Sequence, residues 1–125
     1  MVTARFTVRD AGFVSDADSD YEALVLSEYP EGAGRRVEFH RTLHPDTQDS
    51  ELGWDTHSIA DESGANVYGA ISGWQHVGHK LTLSLTPKGA SVMGVDRYEL
   101  TLRIPNEKDA LISRGLASIV GSGLS

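Results

Sequence analysis

The stretch Lys80-Leu81-Thr82-Leu83-Ser84-Leu85, with Tyr98-Glu99-Leu100-Thr101-Leu102-Arg103-Ile104 and the run 105–120 that follow it, decides the fold. Leu81, Leu83 and Leu85 alternate with Thr82 and Ser84, the period of a strand with one buried and one wet face. Tyr98, Leu100, Leu102 and Ile104 alternate in the same way against Glu99, Thr101 and Arg103. Between the two strands, Thr86-Pro87 reads as an N-cap followed by proline at the first helical position, and Gly94 as the stop. Only about two turns fit there, and Gly89 weakens them. Pro105-Asn106 opens the one substantial helix, running to Val120 with Asn106 as its N-cap. Glu107 and Asp109 suit the positive end of its dipole, and Gly121 suits its stop. Ile112, Leu116, Ile119 and Val120 follow the i, i+4, i+7, i+8 spacing of a single apolar stripe that needs a sheet to dock on.

Working towards the N-terminus, residues 4–8 read as a strand with Phe6 and Val8 on one face. The polar run 16–20 turns the chain into a strand over 21–27. The Pro/Gly cluster 29–34 then joins it to a strand over 36–43, in which Val37, Phe39 and Leu43 alternate with Arg36, Glu38 and His40. Residues 44–53 have no apolar period and read as the longest loop. A short strand over 54–60, a turn at 61–64, a strand over 66–72 and a loop through 73–78 complete the pattern. The expectation is an α+β fold: a curved antiparallel sheet of roughly six or seven strands, with a short helix and a C-terminal helix packed on one face. Residues 1–125 form a single domain, with 121–125 fraying.

Composition narrows the function. At 125 residues with 39% hydrophobic and 23% charged residues, the chain is one globular domain's worth. No stretch approaches the ~20 apolar residues of a membrane span, and Arg5, Arg9 and Asp10 sit where a signal peptide would be apolar. The absence of cysteine excludes disulfides, thiolate zinc sites and cysteine nucleophiles. A cytoplasmic protein without membrane contact is expected. Eighteen acids against eleven bases give a net charge of −7. Residues 1–62 carry fourteen acids and five arginines, and residues 63–125 four acids and six bases. Phosphate backbones repel such a chain, so nucleic acid is not an expected partner, whereas a basic protein would be steered to the N-terminal half.

No catalytic or metal-binding signature is complete. Asp16-x-Asp18-x-Asp20 opens like a calcium loop, but Tyr21 stands where the sharp turn needs glycine and Ser27 where a bidentate glutamate is needed. His40 and His44 are ~13 Å apart along a strand, and His76 and His79 lack a third ligand at recognisable spacing. Asp55, Asp61 and Glu62 form a carboxylate pair only if the geometry allows it. No Gly-x-Ser-x-Gly elbow or glycine-rich phosphate loop occurs. The expectations are no catalytic residue, no metal and no cofactor. What stands out is a surface: Asp46, Asp49, Glu51, Asp55, Asp61 and Glu62 without one Lys or Arg, Trp54 in their midst, and Trp74 in the next loop. Tryptophan ringed by charge is a pattern of protein–protein anchors, although either tryptophan also suits a core.

The segments Gly64-Ala65-Asn66-Val67-Tyr68-Gly69-Ala70-Ile71, Leu81-Thr82-Leu83-Ser84-Leu85 and Ala90-Ser91-Val92-Met93-Gly94, followed by a strand and a closing helix, resemble the immunity protein 10 family of bacterial polymorphic toxin systems. Tyr21-Glu22-Ala23-Leu24 and Phe39-His40-Arg41 are compatible with it, whereas Gly89-Ala90-Ser91 departs from the alanine pairs of the family pattern. The resemblance implies a non-enzymatic antidote that binds and blocks a cognate toxin domain. An acidic surface suits a basic toxin such as a nuclease. The toxin-binding residues expected from charge and tryptophan placement are Asp46, Asp49, Glu51, Trp54, Asp55, Asp61, Glu62 and Trp74. A homodimer, an adaptor role and a small-molecule-binding or enzymatic domain with a pocket under the sheet stay open.

Overall fold

The computed structural model describes residues 2–52 and 56–121. Among these the chain forms β1 (Thr3–Val8), β2 (Asp10–Asp16), β3 (Tyr21–Ser27), β4 (Arg36–Thr42), α1 (Thr47–Leu52), β5 (Ser58–Asp61), β6 (Asn66–Tyr68), β7 (Ile71–Val77), β8 (Lys80–Leu85), α2 (Pro87–Met93), β9 (Arg97–Leu102) and α3 (Asn106–Ile119). The class is α+β as expected, but the strands form two open sheets rather than one. A four-stranded sheet runs in the order β1-β9-β8-β7 and a five-stranded sheet in the order β2-β3-β4-β5-β6. The second is antiparallel throughout, whereas β1 pairs with β9 in parallel, Thr3 opposite Arg97 through Val8 opposite Leu102.

Two strands were hidden in the sequence. Asp10–Asp16 carries glycine and two aspartates, poor strand formers, and is a strand because all seven of its residues pair with β3. Residues 73–77 read as a loop, yet they continue β7 from Ile71, with Trp74 and His76 turned inward and Gln75 and Val77 outward, so its large apolar end residue is the wet one. Helix α1 occupies part of the expected 44–53 loop. The first helical residue of α3 is Asn106, one later than its expected role as cap, and Pro105 is the cap without a side-chain bond. The α2 signals act as read: the Gly89 N–H donates to Thr86 Oγ1 (3.1 Å) and Gly94 ends the helix at φ 76°.

Both sheets and the helices feed one core. The central row of the five-stranded sheet, Leu24-Phe39-Ile59-Val67, joins Leu81, Leu83, Tyr98, Leu100 and Leu102 of the other sheet. Helix α3 lies on β2, β3 and β4 through Ile112, Leu116 and Ile119, while α2 bridges β6 and β8 at the seam, so the two helices do not share one face. Gly115 allows the close approach of α3: a Cβ there would meet Phe13 Cδ1 at 3.0 Å. Gly89 does the same for α2, since its Cβ would stand 2.6 Å from Ala70 Cβ and 3.0 Å from the Ala70 carbonyl oxygen.

Two stability outcomes follow from this packing. Leu116→Ala empties a fully buried position and lowers unfolding free energy by about 2–5 kcal/mol in chemical denaturation. Gly89→Ala, which in an exposed helix interior would stabilise by up to ~1 kcal/mol, destabilises here by about 1–3 kcal/mol, because the seam cannot admit a methyl group without moving β6–β7 backbone. A rise in melting temperature for Gly89→Ala would disprove the tight seam.

Candidate functional site

Strand parity in the five-stranded sheet places one set of residues away from the core. Reading across the register, the outward rows are Asp16-Tyr21-Thr42, Val14-Ala23-His40-Ser58-Tyr68, Gly12-Val25-Glu38-Ala60-Asn66 and Asp10-Ser27-Arg36. Val14 and Tyr21 are exposed, and a shallow groove of about 400 Å³ crosses the face, lined by Tyr21, His40, Thr42, Ser58, Asn66 and Tyr68 among others. Along β4 the outward charges hold one another: Arg36 Nε lies 2.7 Å from Glu38 Oε2, and His40 Nε2 lies 3.3 Å from Glu38 Oε1. The sequence read these alternate positions only as the wet side of a strand.

The acidic segment 46–62 is divided by the fold. β4 ends at Thr42 and α1 follows it, whereas Asp61 pairs with Val37 and Glu62 meets Arg36 at the start of β4. Six residues of strand, about 20 Å, separate the two ends. Asp46, Asp49 and Glu51 therefore sit at one end of the β4–β5 ladder, and Asp61 and Glu62 at the other. Trp54 and Asp55 lie outside the described residues. Trp74 is corrected from loop to strand: it is 9% exposed, and its Nε1–H donates to the Gly121 carbonyl at 2.9 Å, binding β7 to the end of α3. A tryptophan so placed serves the core and has little surface left to offer a partner.

Several of the acids also have local structural work. Asp46 Oδ1 accepts the Asp49 N–H (2.8 Å) while Asp49 Oδ2 accepts the Asp46 N–H (3.1 Å), a reciprocal cap that satisfies donors left open at the start of α1. Asp61 Oδ1 accepts both the N–H (2.9 Å) and the hydroxyl (2.6 Å) of Ser63, fixing the β5–β6 turn. Glu62 Oε1 accepts the Arg36 N–H at 2.9 Å. In the candidate calcium run, Asp16 instead takes the N–H and hydroxyl of Ser19 and the N–H of Asp18, which hold its carboxyl below the usual range.

The remaining titratable groups fasten the fold. Glu22 is 4% exposed and is met by Arg41 Nη2 at 2.8 Å and the Ser118 hydroxyl at 2.6 Å, which ties α3 to β3 and β4. Lys108 lies 2.7 Å from Asp10; this bond and its charge hold the Asp10 carboxyl low. His76 spends both ring nitrogens inside the protein, on the Ser113 hydroxyl and on Asp109 (3.3 Å), so this Ser–His–Asp row is a clasp between β7 and α3. Among the described residues no group of three or more His, Asp or Glu is gathered around a metal-sized space. No helix among the described residues is long and apolar enough to cross a membrane.

His57 is buried and its Nε2 accepts the Ile71 N–H at 3.1 Å, an acceptor role open only to the neutral ring. Desolvation by burial lowers its pKa from 6.5. The contribution of a depressed imidazole is complete above the unfolded value of 6.5 and is lost as pH falls through the lower folded value. Melting temperature therefore drops in the parent protein as pH falls below about 6.5 towards the lower folded value. The gap between it and His57→Gln narrows over the same window, as calorimetry at stepped pH will measure.

A family model described as Immunity protein 10 matches residues 7–110. None of the curated proteins and none of the solved structures matches the chain.

Proposed function

The chain belongs to the immunity protein 10 family, and on that premise we propose that it is an antidote that binds a cognate toxin domain directly and blocks it by occupying its surface. The match over residues 7–110, which takes in every strand but β1 complete and the first turn of α3, is the observation that carries this reading. The charge distribution supports the kind of partner. A chain with net charge −7, and with six carboxylates and no Lys or Arg between 46 and 62, attracts a basic toxin. Nucleases form one such class, because their own polyanionic substrate demands positive charge. The antidote acts in the cytoplasm without metal or cofactor and catalyses nothing.

The contact we propose runs along the β4–β5 side of the five-stranded sheet. Asp46, Asp49 and Glu51 flank one end of that ladder and Asp61 and Glu62 the other; the proposal adds Trp54 and Asp55, which follow Glu51 in sequence and lie outside the described residues. A span of about 20 Å suits a standard interface of ~800 Å² on each partner. Division of labour among the acids refines which of them to alter. Asp46 and Asp49 hold α1 together, so their loss confounds binding with unfolding, whereas Glu51 is exposed on the same helix.

Reversing Glu51 and Asp55 to Lys is expected to slow association with the purified toxin roughly tenfold at low ionic strength, to flatten the salt dependence of the rate, and to change dissociation little. Stopped-flow association at several salt concentrations measures this. Co-expression with the toxin encoded by the neighbouring gene gives the functional readout as cell growth. Parent-like association rates together with full protection of the cells would place the contact elsewhere.

A further inference from the structure

We propose that a cavity of about 190 Å³ at the seam between the two sheets, lined by Phe6, Arg35, Asp61, Glu62, Met93 and Tyr98, receives the guanidinium or ammonium end of an arginine or lysine side chain of the toxin. This assignment rests on the toxin-binding reading above and adds to it the anchoring chemistry. Tyr98 is 4% exposed and borders the cavity, and its hydroxyl has no hydrogen-bond partner among the described residues. Arg97 Nε, and not the Tyr98 hydroxyl, is the buried polar atom that lacks a partner among the described residues, so the hydroxyl is reached by solvent and is open to a ligand. Asp61 spends Oδ1 on Ser63, and Glu62 spends Oε1 on the Arg36 N–H. Among the described residues, Asp61 Oδ2 and Glu62 Oε2 take no hydrogen bond. Three hydrogen-bonding groups without partners thus belong to residues bordering one small void.

The sign of the missing group follows from the charges. Arg35 does not satisfy the site: its Nη1 donates to the Arg5 carbonyl at 2.9 Å, and its guanidinium lies 5.9 Å from the centre of the Phe6 ring. Two carboxylates against this one guanidinium leave negative charge in excess, so the lining selects a cation. Burial, with the charges of Asp61 and Glu62, pushes the Tyr98 phenol up to about 12, so it keeps its proton and its oxygen can accept from a cationic N–H. Size agrees: a void of ~150 Å³ holds benzene, so this one takes a guanidinium and its last methylenes. Phe6 and Met93 wall it for the methylenes, as a long basic side chain requires. The acids stand on a turn already fixed by Ser63, so binding costs little ordering, and arginine is among the residues that most often anchor an interface.

The test uses the intact chain, n-butylguanidinium as the probe and the purified toxin. Three near-isosteric variants, Asp61→Asn, Glu62→Gln and Tyr98→Phe, leave the turn acceptors and the phenyl ring in place, and thermal melts establish that each is folded. The expected result in ¹⁵N–¹H spectra is a saturable shift of the amides near Tyr98 and Asp61 with n-butylguanidinium, absent with n-butanol and weakened at least tenfold in Glu62→Gln. With the toxin, Glu62→Gln and Tyr98→Phe are expected to raise the dissociation rate at least tenfold, and n-butylguanidinium to compete. Toxin binding unchanged in folded Glu62→Gln and Tyr98→Phe overturns the assignment while leaving the antidote reading standing. Probe binding without any effect of the variants on the toxin makes the cavity a small-amine site and overturns it equally. Failure of the parent protein to bind its toxin at all defeats the antidote reading and this assignment with it.

Discussion

The parallel pairing of β1 with β9 is the constraint on which the rest of the structure depends. It brings residues 3–8 beside residues 97–102 and closes the four-stranded sheet, while Arg9 alone separates β1 from β2 of the other sheet. The Arg9 N–H donates to the Ser27 carbonyl and the Arg103 N–H to the Val8 carbonyl, so the chain is pinned on both sides of the corner. Because the chain changes sheet within one residue there, the two buried faces share a single core that neither would complete alone. A parallel pair also needs a long crossover, and here the whole five-stranded sheet, α1 and α2 lie within it. Such non-local closure favours slow folding, with the hairpins β2–β3–β4 and β7–β8 available to form first.

Within that frame α3 is less an appendage than a third wall. Its apolar stripe covers β2–β4, and polar bonds join it to both sheets: Ser118 to Glu22, Lys108 to Asp10, Asp109 and Ser113 to His76, and the chain just beyond it at Gly121 to Trp74. Glu22 is the costly member, a carboxylate taken almost wholly out of water. Arg41 and Ser118 meet it with charge-assisted bonds, which is the condition under which a buried charge is tolerated. These side chains come from positions that a sequence scan would sort as possible chemistry, a histidine, two serines and three acids, and the fold uses them to hold a helix.

What was legible in the sequence was the part where one physical signal acted alone. Leu81-Leu83-Leu85 and Tyr98-Leu100-Leu102 alternate because one face is buried and the other is wet; α2 carries its own start and stop residues, and α3 its apolar stripe. The sequence failed where tertiary pairing overrode composition. Gly12 and the aspartates of β2 have no strand preference of their own, and β7 places Trp74 and His76 inside but Val77 outside. The division into two sheets was equally hidden, since alternation reports that a face is buried and never against what. For the candidate site, the acidic run 46–62 was legible as charge. Its folding into two groups at opposite ends of a ladder was not, because that depends on where β4 and β5 pair. Trp54 and Asp55 fall outside the described residues, and Trp74 belongs to the core.

The same two-sheet construction explains why a polar void sits where it does. Asp61 and Glu62 come from the turn of one sheet, whereas Phe6 and Tyr98 come from adjacent strands of the other and Met93 from the helix at the seam. No local sequence pattern could display a site assembled from three such distant segments. A cation bound there would touch both sheets at once, so its binding energy would add to the free energy holding them together, by RT ln(1 + [L]/Kd). In the free protein the Tyr98 hydroxyl and the spare carboxylate oxygens are open to water, Glu62 being exposed, and a partner that pairs them takes the place of that water. A protein of this size has little stability to spare, so a cation that bridges the seam adds a large share of it even when its contribution is modest.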